Sequence, residues 1–201
     1  GGSGILDSEA LISIPGAVSQ RLAIYGNGVA TAGGTGILVG IAGLGLGSFY
    51  QGVAIVRNSI GAVPDDGIDV EQSVVFFSSG GATSNLYIAS NVIGSAGQDG
   101  IAAGFAASDL SGLSRAVTID RNSLGTVASD GIDLAESIAS MTGAVVETAF
   151  VGYNRLTSAG GTGINVNRLG VALGSLSQAV AVDHNSLGTV GSVGIAVADL
   201  A

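Results

Sequence analysis

Hydrophobic and polar positions alternate along this chain in short runs that recur at a fixed interval. An Ile preceded by Gly stands at Ile5, Ile37, Ile68, Ile101, Ile132, Ile164 and Ile195, at spacings of 32, 31, 33, 31, 32 and 31 residues. An Asn recurs at Asn27, Asn58, Asn91, Asn122, Asn154 and Asn185, and each time the next marker Ile follows ten residues later. All of the variation in the period therefore lies between Ile and Asn. Around each Asn, aliphatic residues sit five and three positions before and two after, as in Val53, Ile55 and Ile60 or Val117, Ile119 and Leu124. The marker Ile is followed two positions on by another small or aliphatic residue, such as Val39, Val70 or Leu134. Alternation with period two in branched aliphatics predicts short strands with one face inward. No helical period separates them.

Three short strands per unit of 31 to 33 residues predict the coils of a parallel β-solenoid, about six of them, as one domain over residues 1–201. Equivalent positions of successive units then stack about 4.8 Å apart, and the Gly, Ile and Asn columns become ladders. For Asn27, Asn58, Asn91, Asn122, Asn154 and Asn185 there is a physical reason. Asn tolerates left-handed backbone angles at a sharp bend, and stacked amides can satisfy polar groups that the bend buries.

The pattern apolar-x-apolar-x-x-Asn-x-apolar, six residues, then Gly-Ile-x-apolar resembles the right-handed parallel β-helix repeat of the pectin-lyase-like superfamily, over essentially the whole chain. The resemblance implies an all-β, right-handed solenoid. It leaves function open, because that superfamily includes polysaccharide lyases and hydrolases, epimerases, phage tailspikes, adhesins and structural repeats. The coils are longer than the family's, and the excess sits between the Gly-Ile strand and the strand before Asn.

Composition narrows the function. The 201 residues contain 35 Gly, no Cys and a net charge of −9. All six basic residues are Arg. Nucleic acid is an unsuitable partner, since phosphate neutralisation needs a basic patch. Mean hydropathy is high at +0.59, yet no apolar run is long enough to span a bilayer, so membrane insertion is not expected. Without Cys there is no disulfide, zinc-thiolate site or thiol nucleophile. No leader is visible at Gly1, so any export signal is expected to have been removed or to lie outside this segment.

Polysaccharide hydrolysis would need paired carboxylates. The densest cluster is Asp65, Asp66, Asp69 and Glu71, with a weaker echo at Asp130, Asp133 and Glu136, and the carbohydrate candidates are Asp65, Asp66 and Asp69. Asp66, Asp99 and Asp130 share one slot of three adjacent coils, a weak calcium candidate, although Asp before Gly is also ordinary turn chemistry. The Asp65-Asp66 pair is similar to the Asp-Asp of polygalacturonase-like hydrolases. The rest of that family's motif residues are missing. Arg57 and Arg121 share the slot before Asn and read as solvated side chains, and His184 in the same slot, beside Asp183, reads as surface. No phosphate loop, nucleophile elbow or calcium-binding nonapeptide occurs. No catalytic residue, metal or cofactor is expected.

The arms at 40–52, 71–85, 104–116, 135–148 and 167–179 are neither charged nor Pro-rich, and carry Phe49, Tyr50, Phe76 and Phe77. They predict a second stacked layer with its own core, or an apolar face for another subunit. Neither end shows a cap, which suggests a longer repeat protein or self-stacking. These observations favour an extracellular or cell-surface structural protein of bacterial type: a self-assembling filament or sheath, or an adhesin stalk, with copies of itself or neighbouring solenoid segments as partner. The alternatives are a polysaccharide-binding or polysaccharide-degrading β-helix and a phage tail-fibre segment.

Overall fold

A chain that repeats strand, bend, strand, bend, strand without a helix can bury its apolar residues only by winding on itself. The computed structural model, which describes residues 2–12, 16–45, 47–75, 80–171 and 174–200, shows that winding. It is all-β, with three parallel sheets stacked as a solenoid of about six turns. The first sheet holds seven strands, from Ile5–Ile12 and Ile37–Leu44 to Ile195–Leu200. The second holds six, from Ala17–Tyr25 to Ser175–Asp183, and the third six short ones, from Gly28–Thr31 to Ser186–Val190. No helix occurs among the described residues, so none is long and apolar enough to cross a membrane.

Register follows the sequence markers. Ile5, Ile37, Ile68, Ile101, Ile132, Ile164 and Ile195 pair in one unbroken line across the first sheet. The Gly before each Ile is set by this stacking. A Cβ built on Gly36, Gly67, Gly100, Gly131 or Gly163 would lie 2.4–2.5 Å from the carbonyl oxygen of the equivalent Gly one coil on. No side chain fits there, whatever its chemistry.

The arms correct the expectation of a second layer. They simply lengthen the strands: first-sheet strands run mostly eight residues and second-sheet strands nine, and both line one continuous core. Phe49 is buried in that core at 3 % exposure, while its neighbour Tyr50 faces outward. Phe76 and Phe77 lie outside the described residues. Three to five residues join the first-sheet strand to the second-sheet strand, and this corner absorbs all of the variation in coil length.

The Asn bend is also corrected in one respect. The left-handed residue is not Asn but the one before it: Gly26, Arg57, Ser90, Arg121, Tyr153 and His184 have φ between 52° and 68°. This frees the Asn to turn its amide inward. Its own role is bonding between coils.

Candidate functional site

Each Asn from Asn58 to Asn154 bonds the coil on either side. The backbone N–H of Asn58 donates to Oδ1 of Asn91 at 2.9 Å, and its Nδ2 donates both to that Oδ1 at 3.0 Å and to the carbonyl of Ile24 at 3.0 Å. Asn91 and Asn122 repeat the arrangement with Asn122 and Asn154. Asn27, Asn154 and Asn185 extend it to both ends. From Asn58 to Asn185 every amide therefore both donates and accepts, as a buried polar group must, while Asn27, exposed in the first coil, only donates.

A second polar line runs through the interior where the two long sheets face each other. Four residues after the marker Ile stand Gln72, Glu136 and Arg168, and seven before the Asn stand Gln51, Ser84, Arg115, Glu147 and Gln178. Arg115 Nε donates to Glu136 Oε1 at 2.6 Å, and its Nη1 donates to Gln72 at 2.9 Å and Ser84 at 3.2 Å. Arg168 Nε donates to Glu136 Oε2 at 2.7 Å and its Nη2 to Glu147 Oε2 at 2.6 Å, where Gln178 also donates at 2.7 Å. Gln72 closes the run by donating to Gln51 at 2.9 Å. Both Arg are at most 2 % exposed. The Arg115 guanidinium carbon lies over the Phe105 ring, 3.8 Å from its centroid. Two Arg and two Glu make the seam neutral, the condition under which buried charges survive.

The environment still acts on each group. Burial pushes the Arg115 guanidinium below its usual value while Glu136 pulls it back. Burial, followed by the charge of Glu136, raises Glu147, against donation from Gln178 and the charge of Arg168. Arg115 Nη2, Arg168 Nη1, Glu147 Oε1 and Gln51 Nε2 have no hydrogen-bond partner among the described residues. Glu136, read from sequence with the acidic echo, is thus separated from Asp133: Asp133 faces outward and Glu136 inward. Strand parity decides this, because Asp133 is one residue after its marker Ile and Glu136 four. Sequence reasoning missed the rest of the seam. The signal was there in the same parity, with Arg115, Glu147 and Arg168 all at inward positions.

The acidic candidates gather on the corner between the third and first sheets. The backbone N–H of Asp99 donates to Asp66 Oδ1 at 2.8 Å, that of Asp130 to Asp99 Oδ1 at 2.8 Å, and that of Thr162 to Asp130 Oδ1 at 2.6 Å. Each carboxylate in this slot is engaged in holding the turn of the next coil. Among the described residues, no three of Asp, Glu and His come together as a metal-binding group. Asp65 accepts from Gln98 at 3.4 Å. Asp69 and Glu71 share the outer face of the first sheet. Burial, then the charges of Asp66, Glu71 and Asp99, raises Asp69 to about 6. Burial also raises Asp66, against the Asp99 N–H, and raises Asp133, where Asp99 adds to the effect and Asn165 opposes it.

The left-handed corner forms an outer ridge. Arg57 bonds the Tyr25 hydroxyl and lies over its ring, Arg121 pairs with Asp120 and lies over Tyr153, and Tyr153 stacks on His184 at 4.9 Å. Asp183 is 2.8 Å from His184 Nδ1. Beside the acidic corner, a groove of about 880 Å³ crosses six strands of the first sheet from Ser8 to Leu169. Its floor is small residues, Gly40, Ala42, Gly104 and Ala106 among them. Comparison with protein-family models, curated proteins and solved structures finds no match to this chain.

Proposed function

We propose that this protein is a structural scaffold, a self-associating solenoid rod of an extracellular filament, sheath or adhesin stalk, and that it carries out no catalysis. The observation that supports this reading is where the polar side chains are spent. The six Asn, the column of Asp66, Asp99 and Asp130, and the seam from Gln51 to Gln178 all bond one coil to another. A stack bonded this way is stiff along its axis and extends by adding coils. Right-handed winding and kinship to the pectin-lyase-like superfamily belong to the same reading. Their support is the Asn and aliphatic repeat, together with the strong right-handed preference of parallel crossovers.

The outer groove, with Asp69 and Glu71 on its side of the molecule, favours a second reading, a polysaccharide-binding β-helix. Electron microscopy of the purified chain over a range of concentrations separates the two. Rods growing in steps on the order of 30 Å, six coils at about 4.8 Å, are expected. Discrete particles that retain a polysaccharide, and lose it on Asp66→Asn and Asp69→Asn substitution, would overturn the scaffold reading.

A further inference from the structure

Exposed charge is segregated on this molecule. Arg115 and Arg168 are inside, and the four remaining Arg, at 21, 57, 121 and 155, lie on the second sheet, on its corner with the third, and at the start of a third-sheet strand. Seven of the 15 acidic residues, Asp65, Asp66, Asp69, Glu71, Asp99, Asp130 and Asp133, lie on the opposite corner and the adjoining face of the first sheet. Among the described residues none of these seven is in an ion pair. The ridge thus carries the exposed cations Arg57 and Arg121, the second shared with the largely buried Asp120, with Asp183 beside His184 in the last coil, and the first-sheet face carries carboxylates with no countercharge among the described residues.

Spacing matches as well as sign. The ridge presents one exposed side chain per coil, in the order Arg57, Ser90, Arg121, Tyr153. The row Asp69, Ala102, Asp133, Asn165 runs in the same direction with the same strand spacing, about 4.8 Å, along the edge of the groove. Arg57 and Arg121 are two coils apart, and so are Asp69 and Asp133. When Arg57 of one copy meets Asp69 of another in parallel orientation, Arg121 therefore meets Asp133. Between and beyond those pairs Ser90 falls opposite Ala102 and Tyr153 opposite Asn165, so no like charges meet. A polyanion would instead face Glu71 within the groove itself.

We propose that the chain docks side by side on a second copy of itself, with the ridge of one copy laid along the row of Asp69 and Asp133 at the edge of the groove of the next, so that Arg57 and Arg121 stand against those two carboxylates. The proposal rests on the scaffold reading and names its lateral contact. Ridge and acidic row are on different faces, so each docked pair keeps one of each free and the association grows into ribbons. The raised value of Asp69 fits this arrangement: a half-buried carboxylate beside other carboxylates gains most from an incoming guanidinium.

The test is sedimentation velocity of the full chain with microscopy of the same samples. The native protein is expected to associate with rising concentration into ribbons several solenoids wide. Arg57→Glu/Arg121→Glu and Asp69→Arg/Asp133→Arg should each stay single at concentrations where the native chain associates. Their equimolar mixture should recover association at least tenfold tighter than either alone. If circular dichroism shows Asp69→Arg/Asp133→Arg to be unfolded, Asp69→Asn/Asp133→Asn replaces it and should by itself associate at least tenfold more weakly than the native chain. Native-like association of a reversed variant, or folded variants that stay apart when mixed, overturns the proposal. Native filaments one solenoid wide also overturn it while leaving the scaffold reading in place. Small oligomers that obey the charge exchange support the lateral contact even where no long filament forms. A native chain that stays single and holds a neutral polysaccharide removes both.

Discussion

The Asn ladder and the inner ion seam both run along the stack and both bond coil to coil, but by opposite rules. An amide carries donor and acceptor together, so Asn stacks on Asn indefinitely, and Asn58, Asn91 and Asn122 repeat one geometry within 0.1 Å. A guanidinium only donates and a carboxylate only accepts. The seam must therefore alternate, and it does: Arg115, Glu136, Arg168, Glu147. The ladder treats every coil as equivalent. The seam makes each coil different, because moving one by a single step would set Arg on Arg or Glu on Glu. One line holds the stack together, and the other resists shifts in its order.

Breaking the seam should give the largest effect. Arg115→Met leaves Glu136 and Glu147 with Arg168 alone, and is expected to cost about 3–5 kcal/mol in urea unfolding. Replacing all four together (Arg115→Met, Glu136→Leu, Glu147→Leu, Arg168→Met) should restore native stability or exceed it, since a well-packed apolar set avoids desolvating charges. A fourfold variant as weak as the single one would mean that the seam contributes net stability rather than order.

Asn122→Asp tests the ladder. It removes the donation to the Ile88 carbonyl and sets a carboxylate against Asn154 Oδ1, and should cost about 2 kcal/mol at neutral pH. Burial among acceptors raises the folded value of this new carboxyl. The variant should therefore match the native chain most closely below about pH 4 and weaken as pH rises, and unchanged melting at pH 7 would count against the ladder. Gly131→Ala bears on both lines, because its Cβ would meet the Gly163 carbonyl at 2.4 Å and force adjacent coils apart. A loss of about 1–3 kcal/mol is expected, read by thermal melting.

The smallest effect lies outside both lines. With Asp69 raised to about 6, its favourable contribution is complete below the ordinary carboxylate range and is lost as pH climbs through about 6. Asp69→Asn should remove that decline, so the variant overtakes the native chain above pH 6 by a small margin that solvent screens. Parallel melting curves for the two proteins from pH 4 to 8 would contradict this.

The columns were legible because a solenoid writes its stacking into the period. Gly-Ile at constant intervals and Asn ten residues before each Ile led directly to parallel strands in register, and Ile5 to Ile195 pair in that line. The arms were harder to read. Their inward positions hold residues as different as Gln72, Phe105 and Glu136, so the alternation that marks a strand is hidden by chemistry that changes from coil to coil. Asp66 and Asp69 were visible as an acidic cluster, but not that Asp66 accepts the Asp99 N–H while Asp69 has no such donor.

The sequence by itself determined the all-β class, the number of coils, the register and the identity of every ladder position, because these depend on spacing along the chain. Only the tertiary structure decided that the arms join one core, that Arg115 and Arg168 are internal, that the residue before each Asn is left-handed, and that ridge and groove lie on different faces. Those outcomes depend on which side chains from separate coils and sheets come within reach, and that is set when the chain closes each turn on the one before it.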